Sequence, residues 1–237
     1  LQLDGVDDWV NLGQMSFTDQ VTLDVTFSLD EIKDSVAILE NIQDGGVALY
    51  ANSGKPVFAV WSQTTGGFVY ARSSTALSKG TKYRVTGTYD GTNLCVYING
   101  TLDTKTACTG KIKNPNENTV MALGVNPKGS KPETGTSSYA HMKVYEINIY
   151  SKAVWDVSEA NDNSVIAWAE KSNSNGALKV NIASTSTIYA NPDSSALFSY
   201  IGYGSICTAT ETIKGINLLN TTKVKNMYKM FEATGYT

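Results

Sequence analysis

Residues 83–100 read Tyr83-Arg-Val-Thr-Gly-Thr-Tyr-Asp90-Gly-Thr-Asn-Leu94-Cys-Val-Tyr-Ile-Asn99-Gly100. Apolar residues alternate with polar ones from Tyr83 to Tyr89, and again from Leu94 to Ile98. Period 2 places one face of each run against a core, which is the signature of a half-buried strand. Asp90-Gly91-Thr92-Asn93 joins the two runs as a turn. Asn99-Gly100 closes a further hairpin, because Asn and Gly tolerate the positive φ of a type I′ turn. Working outward, Val21-Thr-Leu-Asp-Val-Thr-Phe-Ser-Leu-Asp30 alternates over ten residues. Short apolar runs recur at 9–12, 36–41, 47–51, 56–61, 67–72, 120–124 and 140–150. Turn residues separate them, among them Asp44-Gly45-Gly46, Gly66-Gly67 and Asn126-Pro127-Lys128-Gly129. Many short strands without helices between them predict a mainly β sandwich or barrel.

The composition agrees. The chain has 237 residues, 41% of them apolar, with 13 Tyr and 20 Gly. That is enough apolar surface for a core and excludes global disorder. The net charge is −3 and no basic run exists, so no nucleic acid partner is expected. No apolar run approaches the ~20 residues that span a bilayer, so no membrane insertion is expected either. The chain opens on Leu1 without an initiator Met and is read as an excerpt. After Tyr150 the pattern changes. A short helix is expected around 157–162, with residues 156–176 as a linker that ends in Lys171-Ser-Asn-Ser-Asn-Gly176. Residues 177–237 are expected to form a small α+β region with strands at 177–183 and 186–189. Val224, Met227, Tyr228 and Phe231 fall at i, i+3, i+4 and i+7, which predicts a helix with Thr222 as its N-cap.

Three blocks carry a family resemblance: Leu3-Asp4-Gly5-Val6-Asp7-Asp8-Trp9-Val10, Gly87-Thr-Tyr-Asp-Gly-Thr-Asn-Leu-Cys-Val-Tyr-Ile-Asn-Gly100 and Lys143-Val-Tyr-Glu-Ile-Asn-Ile-Tyr150. Together they resemble the opening strand, central hairpin and closing strand of the laminin-G-like, concanavalin-A-like superfamily, which implies an antiparallel jelly-roll β-sandwich over residues 1–155. A second block, Leu218-Leu-Asn-Thr-Thr-Lys-Val-Lys-Asn-Met-Tyr-Lys-Met-Phe231, is similar to the repeat of BspA-like leucine-rich surface proteins. The two resemblances imply an extracellular protein of the bacterial cell surface.

The same sandwich hosts glucanases, so catalysis has to be considered. Retaining glycosidases need two carboxylates ~5–5.5 Å apart, which a Glu-x-Asp-x-x-Glu strand supplies. Nothing here matches it. The acidic run Asp30-Glu31-Ile32-Lys33-Asp34 follows a strand and reads as a solvated turn. His141 is the one histidine and has no Gly-x-Ser-x-Gly elbow beside it. Cys95, Cys108 and Cys207 lack zinc-ligand spacing, and free thiols are favoured over a Cys95–Cys108 disulfide, since a two-residue hairpin sets Cys95 near Thr104. No catalytic residue is assigned.

Binding offers two candidates. Val57-Phe-Ala-Val-Trp61 and Phe68-Val-Tyr-Ala71 are apolar on both alternating faces. If they form a hairpin, one face packs inward and the other offers aromatics: Trp61, Phe68 and Tyr70, with Gln63 and Arg72 nearby. Sugars stack on such faces while polar groups at the rim take their hydroxyls. No cofactor is required, but a structural calcium ion is a second candidate. It would draw on Asp4, Asp7 and Asp8 in the first turn, or on Asp44 and Asp90 at strand ends. The expectation is a non-catalytic bacterial surface adhesion or carbohydrate-binding fragment whose partner is a glycan or a host matrix protein. The other reading is an accessory domain of a larger secreted carbohydrate-active enzyme, or a phage tail receptor-binding module.

Overall fold

The computed structural model describes residues 1–116, 118–135, 138–158, 164–171, 178–199, 213 and 215–232. The chain divides into two compact units, Leu1–Val154 and Trp155–Thr237.

The first unit is two six-stranded sheets. The first sheet runs β1 (Gln2–Asp4), β14 (His141–Tyr150), β3 (Val21–Leu29), β8 (Lys82–Tyr89), β9 (Asn93–Ile98) and β10 (Thr101–Ala107). The second runs β2 (Val10–Gln14), β11 (Val120–Leu123), β4 (Val36–Glu40), β5 (Val47–Asn52), β6 (Lys55–Ser62) and β7 (Gly67–Arg72). Every strand pair within them is antiparallel. The predicted sandwich is thus observed. A small hairpin, β12 (Pro127–Lys128) with β13 (Lys131–Pro132), sits in the segment that follows β11.

The central run behaves as its alternation demands. Val85, Tyr89, Leu94 and Val96 are fully buried between the sheets. Asn99 and Gly100 take φ of 51° and 78°, so both central residues of the turn are left-handed. Beyond the turn one extra residue enters β10 between Leu102 and Thr104. The bulge shifts the register, so Cys95 faces Lys105 rather than Thr104. It also lets the Asp103 carboxylate accept hydrogen bonds from Ser74 N (3.2 Å) and Thr75 Oγ1 (2.5 Å). Cys95 and Cys108 are buried free thiols. Cys207 lies outside the described residues.

One contact sets how the sheets meet. Gly87 of β8 faces Phe58 of β6 so closely that a Cβ on Gly87 would lie 2.3 Å from Phe58 Cδ2 and 2.5 Å from its Cγ. Those atoms belong to the body of a fully buried ring, which has no room to move aside. The outer face of the first sheet is closed by polar groups. Asp24, 2% exposed, accepts Arg84 Nε at 3.0 and 3.2 Å and Thr86 Oγ1 at 2.5 Å.

Among its described residues, the second unit shows strands and turns where an α+β make-up was expected. It contains β16 (Val165–Lys171) paired antiparallel with β17 (Leu178–Ser184), and β15 (Val154–Asp156) beside β16. β18 (Ile188–Tyr189) pairs in parallel with β19 (Leu219–Asn220). The helix expected over 222–231 is not formed; turns occupy the stretch, and the one helical element among the described residues is the 3-10 turn Ile216–Leu218. The physical reason is local. Asn220 Oδ1 accepts Thr222 N, Asn226 Oδ1 accepts Tyr228 N, and Lys229 takes φ 55°. Side-chain bonds of this kind compete with the helical ladder, and a positive φ breaks it. Val157 and Ser158 are also non-helical, and 159–162 lie outside the described residues.

The two stretches 188–199 and 219–232 run side by side in parallel. Ala190 N bonds Asn220 O, Ser194 N bonds Asn226 O, Ala196 N bonds Tyr228 O and Phe198 N bonds Met230 O. Their turns repeat as well: Leu197 N→Ser194 O and Ser199 N→Ala196 O match Met230 N→Met227 O and Glu232 N→Lys229 O, each displaced by 33 residues. Ala196 and Lys229, the same distance apart, share a φ of 56° and 55°. Phe198 and Phe231 stack at 5.4 Å.

We expect Gly87→Ala to destabilise the fold by about 1–3 kcal/mol, the usual cost of overpacking, read as a lower urea midpoint at unchanged slope. Gly67→Ala, where nothing lies within 4 Å of the new Cβ, should stay within about 0.5 kcal/mol of wild type.

Candidate functional site

The packing of Phe58 fixes the parity of β6. With Phe58 and Val60 inward, Val57, Ala59 and Trp61 point to the outer face of the second sheet. Register carries that parity sideways. Val47, Leu49 and Ala51 of β5 pack in the core, so Ala48 and Tyr50 point out. In β7 Ala71 is core, so Phe68, Tyr70 and Arg72 point out. Three rows cross the outer face. One runs Ala122, Glu40, Ala48, Ala59, Tyr70. The second runs Ala37, Tyr50, Val57, Arg72, and the third pairs Trp61 with Phe68. Methyl-sized side chains in the first row lie between bulky ones in the other two, and Ala48 and Ala59 beneath them are covered, so the exposed part of the face is its β6–β7 end.

The aromatic residues expected from the sequence come together here. Trp61, Phe68, Tyr70 and Arg72 share the face and all retain exposure, Tyr70 at 38%. Phe68 and Tyr70 rings are 6.2 Å apart, and the Arg72 guanidinium lies 4.4 Å from the Tyr70 centroid. Lys113 Nζ lies 4.6 Å from the Trp61 centroid. Half-buried Tyr50, which sequence reasoning missed, completes the set; burial pushes its phenol up, and Arg72 partly offsets this. Gln63 lies past the end of β6, where its Nε2 donates to Ile112 O at 3.3 Å.

The acidic candidates are distributed otherwise. Asp44 is tied to Lys113 Nζ and Asn116 Nδ2, both at 2.9 Å, and the Lys113 bond holds its carboxyl below the usual range. Asp90 Oδ1 accepts Thr92 N, Thr92 Oγ1 and Asn93 N, each at 2.7 Å; burial alone would raise it, but these bonds prevail and lower it. Both carboxylates brace turns. Asp4, Asp7 and Asp8 do converge, with ligand-type oxygens within 4.8 Å of one another and all three exposed. Asp4 Oδ1 takes the Val6 and Asp7 amides, and Asp8 Oδ2 takes the Asp4 amide. The Val6 bond contributes most to lowering the Asp4 carboxyl.

The inner end of this face holds a group that the sequence did not single out: Glu40 is 3% exposed. The chain that follows β11 is anchored beside β4 through its described residues. Its backbone is tied down by Val120 N→Gly129 O and Ala37 N→Ser138 O, and Gln43 Nε2 donates to Pro127 O at 3.1 Å. It brings Glu133 within electrostatic range. Burial, reinforced by Glu133, pushes the Glu40 carboxyl up to about 8.

Residues 4–156 match the family described as the concanavalin A-like lectin/glucanases superfamily, laminin-G-like type. The chain belongs to this family. Solved structures of similar fold include a putative carbohydrate binding protein from Bacteroides ovatus, 14% identical at a TM-score of 0.54, over 74% of this chain and 57% of that one. The binding domain of Paraclostridial Mosquitocidal Protein 1 is 12% identical at 0.53, over 77% and 54%. NanB sialidase from Streptococcus pneumoniae is 12% identical at 0.51, over 77% and 35%. The chain thus spans a third to somewhat over half of these proteins, and at such identities the likeness is one of fold. No curated protein matches the chain. No helix among the described residues is long and apolar enough to cross a membrane.

Within this laminin-G-like unit, Glu40 makes stability depend on pH. An ordinary Glu titrates at 4.5 and the folded one at about 8. Between those values the fold keeps a proton that the unfolded chain gives up, so stability falls as pH rises and levels off above 8. We expect Glu40→Gln, measured by calorimetry in EDTA, to raise the melting temperature over wild type more at pH 8 than at pH 5. An equal difference at both pH values would contradict the assignment.

Proposed function

We propose that this chain is a non-catalytic binding module that takes a carbohydrate on the outer face of its second sheet. The observation that carries the reading is the aromatic cluster: Trp61, Phe68 and Tyr70 keep exposure on one face, with half-buried Tyr50 and the Arg72 guanidinium beside them. Aromatic faces beside cationic and phenolic groups suit a sugar, whose C–H patches stack while its hydroxyls bond outward. On the first sheet's outer face the central acid, Asp24, is already paired with Arg84. The fold shared with a putative carbohydrate binding protein is consistent with this reading.

A hydrolytic role is the less favoured reading. Glu40 and Glu133 do lie within electrostatic range, but a general acid must touch the glycosidic oxygen, and Glu40 is 3% exposed. We further read the chain as part of an extracellular bacterial surface protein whose second unit begins a BspA-like repeat array. The support is the 33-residue displacement that superposes two parallel, hydrogen-bonded stretches, since solenoid rungs stack in this manner. An adhesive role toward a host matrix protein would use the same surface.

A glycan-array screen of the full chain tests the reading. We expect binding to a defined glycan class, weakened roughly tenfold by Tyr70→Ala or Trp61→Ala, about 1.4 kcal/mol each. Arg72→Ala should weaken it as well. Full binding by a folded Tyr70→Ala/Trp61→Ala double variant would place the ligand elsewhere.

A further inference from the structure

Arginine is scarce in this chain: Arg72 and Arg84 are the two it has. Their surroundings are opposite. Arg84, on the outer face of the first sheet, bonds the buried Asp24 at 3.0 Å. Arg72 is exposed on the aromatic face of the second sheet, 4.4 Å from the centroid of the Tyr70 ring. No carboxylate meets it among the described residues. Register adds a second cation. Lys55 pairs with Asn52 and shares its strand face with Val57, the partner of Arg72. The pleat therefore sets Lys55 diagonal to Arg72 on the same side of the sheet, ~7–8 Å away between backbones. Lys55 is exposed and likewise has no ion pair among the described residues.

The acids around this face are engaged or withdrawn. Asp44, near Trp61, is bonded to Lys113 Nζ and Asn116 Nδ2. Asp103 approaches the end of β7, where its carboxylate accepts Ser74 N and Thr75 Oγ1. Glu40 is 3% exposed and lies three strands from Tyr70 along their shared row. The sequence shows the same segregation. Residues 45–89 hold Lys55, Arg72, Lys79, Lys82 and Arg84 but no Asp or Glu. With 22 acids in 237 residues, about four would fall in such a stretch by chance. Strands β5, β6 and β7 thus carry uncompensated positive charge in a chain whose net charge is −3.

We infer that the ligand of this face is an acidic glycan, whose carboxylate or sulfate group pairs with the Arg72 guanidinium while its ring stacks on the neighbouring aromatics. The inference rests on the carbohydrate reading above and narrows it. A guanidinium presents N–H donors in a planar fork and has no acceptor, so it matches two oxygens of one anionic group better than a lone hydroxyl. Its place over the Tyr70 ring holds the fork at the rim of the stacking surface. Lys55 is a compact point charge and adds attraction rather than geometry.

The test is an array of neutral, carboxylated and sulfated glycans, probed with the full chain at low and high sodium chloride. The strongest ligand is then titrated beside its carboxyl-reduced or desulfated derivative. We expect binding to anionic glycans alone, on the order of tenfold tighter than to the neutralised derivative and weaker in high salt. The carboxylated and sulfated arms tell which anion is preferred. Arg72→Gln should remove the preference for the anionic form, Arg72→Lys should restore part of it, and Lys55→Gln should weaken binding chiefly at low salt. A neutral glycan bound tightly, and lost in the Tyr70→Ala/Trp61→Ala variant, would overturn this inference and leave the carbohydrate reading standing. Equal affinity for the ligand and its neutralised derivative, or an intact preference in Arg72→Gln, would overturn it too. A chain that binds no glycan of any class would overturn both.

Discussion

The contact of the Phe58 ring with the bare backbone of Gly87 is the constraint from which the rest follows. Interiors pack at near-crystalline density, so a ring set against a glycine leaves no freedom to slip. In a strand, a slip of one residue would move every side chain to the opposite face. Fixing Phe58 inward therefore fixes Trp61 and Ala59 outward. The ladder then passes that parity to Tyr50 on one side and to Phe68, Tyr70 and Arg72 on the other. The aromatic face is a consequence of core packing two layers away.

That face is divided. Its inner end buries the Glu40 carboxyl, which burial and Glu133 push up to about 8. Its outer end is open and carries the exposed ring of Tyr70 beneath Arg72. The open end suits a ligand that stacks. The first sheet shows the contrasting solution, in which a buried Asp24 is met by Arg84 and Thr86 within the fold.

Much of this could be read from the chain because it rests on local pattern. Period-2 alternation gave the strands, and Asn99-Gly100 gave its turn. The doubled apolar faces of 57–61 and 68–71 pointed to Trp61, Phe68, Tyr70 and Arg72. What could not be read depends on contacts far apart in sequence. Glu40 sits in an apolar run, and Glu133, which acts on it electrostatically, comes from beyond β11, which pairs with β4 across some eighty intervening residues. The bulge between Leu102 and Thr104 was equally invisible and moved Cys95 to Lys105. The helix expected at 222–231 failed for another reason. The apolar spacing there arises from turns that recur with the parallel stretches, and Met227, Tyr228 and Phe231 are exposed rather than lined along one buried face. A 3.6-residue period implies a helix only where side-chain caps and left-handed residues leave the ladder intact.

The account rests on the outer face of the second sheet being the surface this domain uses. The most direct measurement is a crystal structure of the chain with an oligosaccharide that it is shown to bind. The account predicts a sugar ring stacked on Tyr70 or Trp61 above Ala59, with a hydroxyl or carboxylate bonded to Arg72. A sugar lodged against the first sheet, or at the turn that carries Asp4, with Trp61, Phe68 and Tyr70 left bare, would contradict it.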